Sequence, residues 1–302
     1  MTAIRHVGQV SGMTDRNMKE SDFNTSYKST WCPGCGNFGI AIALKNALVE
    51  LGLKPENVML VAGIGCSGNG VNFLKAYGWH SLHGRALPTA VGAKLANKDL
   101  TVIVMAGDGD GYGEGMAHFI HAVRGNADIT YITHDNQLYS LTTGQSAPTT
   151  DKGTKTKSTP EGLIEFKANP ISLALSSGGG FVSRGFSGNA THLTGLIKKA
   201  ILHKGFSLVD VFQPCVTFNK INTFKYFFDR LYNLDEKADY NSNDILMAHR
   251  EALVNGDKIA YGLFYQDKRP SYGQYLPQLA GKALTKRPIK VRNIDQLTKE
   301  FA

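Results

Sequence analysis

The sequence lacks a long apolar segment. No hydrophobic run approaches the ~20 residues that a membrane-spanning helix needs, and Met1–His6 lack the apolar core of a secretory signal. Charged residues make up 19% of the chain and hydrophobic residues 42%, which is the composition of a folded domain and not of a disordered chain. We therefore expect a folded cytoplasmic protein that does not enter a membrane.

Cysteine is scarce, with four residues in 302. In a cytoplasmic chain of this length a compact cysteine pair is more often metal-binding or catalytic than part of a disulfide. Four thiolates gathered at strand ends suit either a tetrahedral Zn²⁺ ion or a [4Fe–4S] cluster, and their spacing does not decide between them. The four residues are Cys32, Cys35, Cys66 and Cys215.

The combined basic and aromatic patterns of nucleic-acid-binding modules are also missing. The net charge is +8, but lysine and arginine are scattered along the chain. A basic surface of this kind favours anionic partners such as phosphates, coenzyme A or an acidic electron carrier, without identifying one. No nucleic-acid partner is expected.

Short apolar runs alternate with helical patterns through the middle of the chain. Strands are predicted at residues 58–62, 100–105, 129–133 and 207–212, and helices at residues 40–51, 115–124 and 193–203. This alternation predicts an α/β fold with an open, mostly parallel sheet and helices on both faces. Ligands of such sheets bind beyond the carboxyl ends of the strands.

Three regions are predicted along the chain. Residues 1–30 are polar and lack periodicity, so they are expected to form an N-terminal arm. Residues 31–218 contain the α/β pattern and are expected to bind the cofactors. Residues 219–302 are irregular and rich in aromatic residues at their start, and we expect a C-terminal extension that packs on a partner subunit.

A glycine-rich turn follows the predicted strand at residues 100–105. It contains Asp108 within Gly107–Gly111, and Asn136 follows the next predicted strand. Glycines allow the backbone to approach a diphosphate, and the side-chain oxygens of Asp108 and Asn136 are the hard ligands that Mg²⁺ prefers. The pattern predicts a diphosphate and magnesium site at the ends of two strands.

This Gly-Asp-Gly turn with its downstream Asn resembles the thiamine diphosphate motif of the thiamine enzyme superfamily. The resemblance implies a thiamine diphosphate-binding fold in which Asp108, Asn136 and the main-chain carbonyl of Leu138 bind Mg²⁺. Asp135 stands where many relatives have an asparagine that is not a ligand. The residues expected around the cofactor are Gly65, Cys66, Ser67, His83, Gly84, Gly107, Asp108, Gly109, Asp110, Asn136, Leu138, Leu141 and Thr142.

Several motifs in one order extend the resemblance. From about residue 28 to 220 the chain is similar to the β subunits of 2-oxoacid:ferredoxin oxidoreductases, on the motifs Trp31–Gly36, Gly63–Ser67, His80–Arg85, Gly107–Gly111 and Leu141–Gln145. The resemblance implies that Cys32, Cys35, Cys66 and Cys215 hold a [4Fe–4S] cluster. It also implies coenzyme A-dependent oxidative decarboxylation of a 2-oxoacid, with the electrons passing through the cluster to ferredoxin.

A second group of residues is expected near the substrate. His83 and Arg85 could orient the diphosphate or the substrate carboxylate, because a guanidinium binds planar anions in a bidentate manner; the alternative is that they only cap a helix or pair with a buried Asp. Ser67, Thr142, Thr143 and Gln145 could donate hydrogen bonds near the cofactor.

Substrate choice depends on the position three residues after Cys66. Relatives that act on 2-oxoglutarate or on a broad substrate range often have Lys or Arg there, whereas this sequence has Asn69. The missing cation argues against 2-oxoglutarate, and Leu141 is expected to line the same pocket. Pyruvate and 2-oxoglutarate both stay open.

The glutamate that activates thiamine in its enzymes has no candidate in a pyrimidine-binding domain of this chain. Glu114 is close to the glycine-rich turn, but it lies at a predicted helix start, where it would complement the helix dipole. We expect the glutamate to come from an α or fused γ/α subunit. Two alternatives are a non-oxidative thiamine decarboxylase or synthase subunit with a structural zinc, and a non-catalytic electron-transfer or scaffold subunit.

Overall fold

An eight-stranded sheet organises the protein. The structure is a computed structural model that describes residues 18–254, 256–288 and 294–300. The strands are β1 (Val58–Ala62), β2 (Tyr77–His80), β3 (Thr101–Gly107), β4 (Thr130–Asp135), β5 (Leu138–Tyr139), β6 (Gln145–Ser146), β7 (Phe181–Phe186), β8 (Ser207–Phe212), β9 (Leu231–Asn233) and β10 (Ile259–Gln266). The sheet order is β2-β1-β3-β4-β8-β7-β10-β9, and β5 pairs with β6 in a separate hairpin.

Helices connect these strands. They are α1 (Asn37–Glu50), α2 (Gly65–Gly68), α3 (Gly70–Phe73), α4 (Ala86–Ala96), α5 (Met116–Gly125), α6 (Pro170–Ser176), α7 (Ala190–Leu202), α8 (Phe224–Arg230), α9 (Ile245–Ala252) and α10 (Asp295–Lys299). A π-helical turn covers Gly109–Glu114, directly after β3. Among the described residues, no helix is long and apolar enough to cross a membrane.

The six strands from β2 to β7 in the sheet order run parallel to one another, and β10 alone runs antiparallel to its neighbour β7. A parallel sheet must be covered on both faces because crossover helices lie on each side of it. Along β3, Val102 and Val104 face one hydrophobic cluster, with residues of α4, α5 and α6. Ile103 and Met105 face the other, with residues of α1 and α7. The predicted mostly parallel α/β sheet with helices on both faces is confirmed.

The sequence pattern located the four central strands well and missed the other four strands of the sheet, which are β2, β7, β9 and β10, as well as the β5–β6 hairpin. The predictions for β1 and β8 have the observed bounds, and β3 and β4 begin one residue later than predicted. β2 was missed because it lies at the sheet edge and all four of its residues are exposed. β7 was missed because two polar residues occupy its centre, and both are buried with partners. Ser183 donates to the Leu208 carbonyl, and Arg184 pairs with Asp210.

Parts of the predicted terminal regions belong to the central unit. Phe23 is fully buried in the cluster that contains α1, and Met18 packs against the same cluster; residues 1–17 lie outside the described residues. β10 extends the sheet beyond residue 218, and Phe264 is fully buried in the other cluster. The packing of residues 219–302 on a partner subunit stays a prediction.

Candidate active site

Four loops meet at one edge of the sheet. They follow the carboxyl ends of β1, β3, β4 and β8, which are neighbouring parallel strands. Parallel strands bring their carboxyl ends to the same edge, and this edge is where ligands of such sheets bind. The topology therefore gathers residues from four distant parts of the sequence.

Glycine permits two of these loops to touch. A Cβ atom at Gly63 would lie 1.8 Å from Asp110 Oδ2, and a Cβ atom at Gly109 would lie 2.6 Å from the Tyr139 ring. Any side chain at either position would push the loops apart. The Tyr139 hydroxyl also donates to the Gly109 carbonyl at 2.8 Å, which ties the loop after β4 to the loop after β3.

Asp108 directs a buried carboxylate into this edge. Its side chain is 1% exposed, and Oδ2 accepts a hydrogen bond from the Thr149 hydroxyl at 2.5 Å. Oδ1 is buried and has no hydrogen-bond partner. Burial raises the pKa of Asp108 to about 7, because a carboxylate charge without a cation is costly in an apolar setting. An unpaired buried carboxylate oxygen is what a bound Mg²⁺ would satisfy.

Asp110 braces the same turn. Its Oδ1 accepts the Gly84 N–H at 2.7 Å, and Oδ2 is buried without a partner. Burial raises the pKa of Asp110 to about 6. Gly84 has a φ of +65°, and a Cβ atom there would lie 2.4 Å from the Glu114 backbone. The Gly84 backbone therefore helps to fix the position of the Asp110 carboxylate.

Asn136 is held firmly at the end of β4. Its Oδ1 accepts hydrogen bonds from the Leu138 N–H at 3.1 Å and from the Ser140 hydroxyl at 2.8 Å. Its Nδ2 donates to Gln213 Oε1 at 3.0 Å. The backbone carbonyl of Asn136 accepts from Asn219 Nδ2 at 3.0 Å. These contacts fix the direction of the amide oxygen.

Asp108 and Asn136 line one cavity of about 270 Å³. Most of the predicted cofactor and substrate residues line it with them. They are Gly65, Cys66, Ser67, Asn69, His83, Gly107, Gly109, Asp110, Leu138, Leu141 and Thr142. The prediction of a shared site at the strand ends agrees with this placement.

Other predicted residues lie outside that cavity. Arg85 is exposed and donates, at 3.5 Å each, to the carbonyls of His83 and Glu114, which links the start of α4 to the turn after β3. Its side chain makes no capping hydrogen bond to α4, and its role near the diphosphate or the substrate stays a prediction. Gln145 bonds to Thr142 at both ends of its side-chain amide, which closes their loop. The Thr143 hydroxyl accepts from Lys157 Nζ at 3.4 Å.

Sequence reasoning missed four residues at the site. His80, Tyr139 and Ser140 line the cavity, and Gln213 contacts Asn136 from behind it. Ser140 and Tyr139 directly follow the predicted magnesium ligands, so their position on the same loop was the available signal. Gln213 offered only its place beside Cys215.

A buried group of charged residues lies behind Asp108. Asp210 accepts from the Tyr112 hydroxyl at 3.0 Å and pairs with Arg184 Nε at 3.3 Å. Asp135 is buried, and burial raises its pKa well above the usual range. The role of Asp135 as a residue that does not bind the metal stays a prediction.

The four cysteines line a second cavity of about 140 Å³. All four are free thiols. Across the described residues, no group of three or more His, Cys, Asp or Glu side chains is arranged to hold a single metal ion, although the four cysteines line the same cavity.

One hydrogen bond joins two of the cysteine loops, and a second lies within the Cys215 loop. Trp31 Nε1 donates to the Cys66 carbonyl at 2.7 Å, and the Phe218 N–H donates to Cys215 Sγ at 3.5 Å. Burial raises the pKa of Cys35 to about 11, and that of Cys66 also to about 11, with smaller contributions from the neighbouring sulfurs. A metal centre would supply the positive charge that these thiolates lack.

The two cavities share one wall. Cys66, Asn69, Asn136, Ser140 and Leu141 line both of them. A group held in the oxygen-lined cavity would therefore lie next to a group held by the four sulfurs.

The parallel fold and the oxygen-lined cavity define a thiamine diphosphate-binding domain. Residues 63–211 match the family model for the C-terminal, thiamine pyrophosphate-binding domain of thiamine pyrophosphate enzymes. Residues 215–281 match the model for the C-terminal part of the pyruvate ferredoxin oxidoreductase β subunit. The second match begins at Cys215, so Cys215 and β10 fall in the same family segment.

Similar proteins narrow the class. The chain is 47% identical to the 2-oxoacid:ferredoxin oxidoreductase subunit beta of Saccharolobus solfataricus, over 85% of this chain and 88% of that protein. It is 43% identical to the 2-oxoglutarate oxidoreductase subunit KorB of Mycobacterium tuberculosis, over 80% of this chain and 63% of that protein.

A solved structure shows the same fold. It is the 2-oxoglutarate:ferredoxin oxidoreductase from Magnetococcus marinus with 2-oxoglutarate, coenzyme A and succinyl-CoA bound, at 38% identity and a TM-score of 0.84. The match covers 87% of this chain and 90% of that one. The chain belongs to the 2-oxoacid:ferredoxin oxidoreductase β subunits, which are enzyme subunits. The predicted family is confirmed, and the non-oxidative and non-catalytic alternatives do not match it.

Proposed function

We propose that this chain is the thiamine- and cluster-binding subunit of an enzyme that oxidatively decarboxylates a 2-oxoacid. The observation that carries the proposal is the shared wall between the oxygen-lined cavity and the cysteine-lined cavity. When bound, thiamine diphosphate supplies the carbanion chemistry that releases CO₂, and the cluster passes two electrons singly to ferredoxin while coenzyme A takes the acyl group. The residues that line the two cavities then serve to bind these groups, orient them or shield them from water.

The magnesium ligands are Asp108, Asn136 and the Leu138 carbonyl in this proposal. The unpaired Oδ1 of Asp108 supports it, since a divalent cation would satisfy a buried oxygen that has no other partner. Asn136 has its oxygen held in one direction by Leu138 and Ser140. The Thr149 hydroxyl leaves Asp108 Oδ1 free by occupying Oδ2.

The cluster ligands are the four cysteines. Support comes from their common cavity and from the pKa values of Cys35 and Cys66, which burial raises to about 11. Gln213 Nε2 donates to Cys35 Sγ at 3.3 Å, a contact typical of amides around iron–sulfur clusters.

A partner α subunit, or a fused γ/α subunit, supplies the activating glutamate and covers the cavity. Glu114 is exposed and does not line the cavity, so it does not fill that role in this chain. Apolar side chains are exposed at and beside the cavity, with Leu141, which lines it, 56% exposed and Leu82, next to the lining residue His83, 78% exposed. Apolar side chains around an opening are typical of a surface that another chain covers.

The substrate is a 2-oxoacid whose side chain contacts Asn69 and Leu141. Both residues lie in the wall between the two cavities. The Mycobacterium tuberculosis and Magnetococcus marinus relatives carry 2-oxoglutarate in their names. Asn69 offers an amide and not a cation, so an Asn69→Lys variant should increase kcat/KM for 2-oxoglutarate relative to pyruvate. An unchanged ratio would mean that the partner subunit, and not Asn69, determines the choice between the two substrates.

Anaerobic purification of the chain with its α subunit tests the proposal. The complex should contain thiamine diphosphate, Mg²⁺ and four iron atoms with sulfide per β chain, and should reduce viologen only with a 2-oxoacid and coenzyme A. The chain alone should not reduce viologen. A colourless complex that contains zinc, or one that decarboxylates without reducing an acceptor, would contradict the proposal.

A further inference from the structure

Gln213 joins the two cavities through its side-chain amide. It follows β8 and is 1% exposed. Its Oε1 accepts from Asn136 Nδ2 at 3.0 Å, and its Nε2 donates to Cys35 Sγ at 3.3 Å and to the Pro214 carbonyl at 3.0 Å. One planar group therefore contacts a proposed magnesium ligand and a proposed cluster ligand.

The orientation of this amide follows from its neighbours. The Pro214 carbonyl can only accept a hydrogen bond, so the nitrogen of Gln213 must face it. The Leu138 N–H can only donate, so the oxygen of Asn136 must face Leu138 and its nitrogen must face Gln213. Different neighbours thus fix the orientations of the two amides, and the two orientations are consistent. The Gln213 amide therefore points an N–H group at the Cys35 sulfur.

The surroundings hold Gln213 against Cys35. The Gly36 N–H donates to the Pro214 carbonyl at 3.2 Å, which ties the Cys35 loop to the segment after β8. A Cβ atom at Gly36 would lie 3.0 Å from Gln213 Cγ, so a glycine is needed for this approach. The Asn37 backbone also donates to the Cys35 sulfur. Cys35 therefore has two N–H donors.

We infer that Gln213 is a positioning residue that raises the cluster's reduction potential and links it to the orientation of Asn136. The inference rests on the proposed function, because it requires a cluster on Cys35. Reduction adds negative charge to a cluster and its sulfurs, and an N–H donor stabilises that added charge. Loss of the donor should therefore lower the potential and make the cluster a weaker electron acceptor.

The amide also connects the cluster to the thiamine site. Asn136 has a single contact for its nitrogen, and that contact is Gln213. Without Gln213, the side-chain amide of Asn136 would be held only through its oxygen, by the hydrogen bonds from Leu138 and Ser140. The amide nitrogen would then be free to move. The residue thus acts on the two centres through two different atoms, and the two effects can be separated by substitution.

Two variants separate these effects. Gln213→Met has nearly the same length but neither a donor nor an oxygen, whereas Gln213→Glu keeps an oxygen for Asn136 and loses the donor. Potentiometric EPR titration of the complex should show a tenfold shift in the reduction equilibrium of the cluster toward the oxidised form in both variants, about 59 mV for one electron. Thiamine diphosphate affinity should fall in Gln213→Met and stay near the unmodified value in Gln213→Glu.

A second readout identifies the hydrogen bond itself. Electron–nuclear double resonance of the reduced cluster should show one exchangeable proton fewer in both variants, which the added charge of a glutamate would not cause. Gln266→Met is the matched control, because Gln266 ends β10 and bonds only to Ser242 through its side chain. The control should keep the potential and the proton signal.

The outcomes distinguish this inference from the proposed function. An unmodified complex without a cluster signal would refute the proposed function. An intact cluster with an unchanged potential and proton signal in both variants would overturn the role of Gln213 alone. Loss of the cluster in both variants would also overturn it, because Gln213 would then be a structural anchor.

Discussion

Asp108 shows at the scale of one residue how burial prepares a cation site. Its carboxylate is removed from water and meets one hydroxyl, so its pKa rises to about 7 and half of its acceptor capacity is unused. Near neutral pH the negative charge is then poorly stabilised by the protein itself. A divalent cation reverses this balance, because it is the largest charge in its surroundings.

Asp108→Asn should abolish productive binding of the cofactor. The amide removes the charge that the metal neutralises. We expect Mg²⁺-dependent thiamine diphosphate affinity to fall by at least about a hundredfold, which is more than the loss expected when a residue that only orients a metal ligand is changed. Titration followed by intrinsic fluorescence measures this. Asp99→Asn is the control, because Asp99 is exposed and paired with Lys286, and it should leave the affinity unchanged. Full affinity in Asp108→Asn would show that Asp108 is not part of the site.

Thr149→Val should weaken the same binding by roughly 10- to 100-fold, since residues that orient a metal ligand have effects of this size. The hydroxyl donates to Asp108 at 2.5 Å, and valine preserves the shape without that donor. The iron content should stay unchanged because Thr149 does not line the cysteine cavity. Thr89→Val, at an exposed helix position, is the control.

At the scale of secondary-structure elements, the residue that ends α5 fixes the position of the segments around it. Helix α5 follows the Asp108 turn and ends at Asn126, whose φ of 52° is in the left-handed region. Asn126 Oδ1 accepts from the Phe206 N–H at 3.0 Å, and Nδ2 donates to the Pro270 carbonyl at 2.9 Å. One residue therefore ends the helix, fixes the start of β8 and holds the segment after β10.

Asn126→Ala should lower the free energy of unfolding by about 2–3 kcal/mol. The change leaves a buried N–H without a partner and places alanine in a left-handed conformation that it disfavours. Urea unfolding measures the loss. Asn126→Gly should recover the backbone part of it but not the hydrogen bonds, and Asn97→Ala, at the end of α4 with a φ of −136°, should have a small effect. Equal stability of all three variants would contradict this account.

At the scale of the whole molecule, the sheet joins the site to the C-terminal segment. The strands that carry the site loops lie at its centre, and β10 and β9 complete one side. Phe264 of β10 is fully buried in the cluster that also contains Val104 and Tyr131 of the site strands. Residues 259–266 therefore support the site strands from within one core.

Phe264→Ala should lower the free energy of unfolding by about 3–5 kcal/mol, the cost of losing a buried aromatic side chain and leaving a cavity. The measurement is urea unfolding of the purified chain. Phe166→Ala is the matched control, because Phe166 is 83% exposed and contacts Lys152 through its ring. The control should cost less than about 1 kcal/mol. A small effect at Phe264 would mean that the C-terminal segment folds separately.

The local pattern of the chain was enough to determine the central strands, the turn at Asp108 and the cysteine loop at Cys32. Strands of a parallel sheet, buried on both faces, appear in the sequence as short continuous apolar runs, and glycine-rich turns mark where they end. The family resemblance extended this to the cofactors. Nothing local predicted β2 or β7, because β2 is an exposed edge strand and the centre of β7 holds buried polar residues that have partners.

Only the tertiary structure decided which side chains meet. Asn136 follows β4, Gln213 follows β8 and Cys35 precedes α1. Their hydrogen bonds exist because β4 and β8 are parallel neighbours and Gly36 admits close approach. Arg85 was expected in the cavity and instead links the start of α4 to the turn after β3, since the direction of a side chain depends on the backbone beneath it. Hydrogen-bond partners and burial arise from long-range packing, and a sequence carries no local record of either.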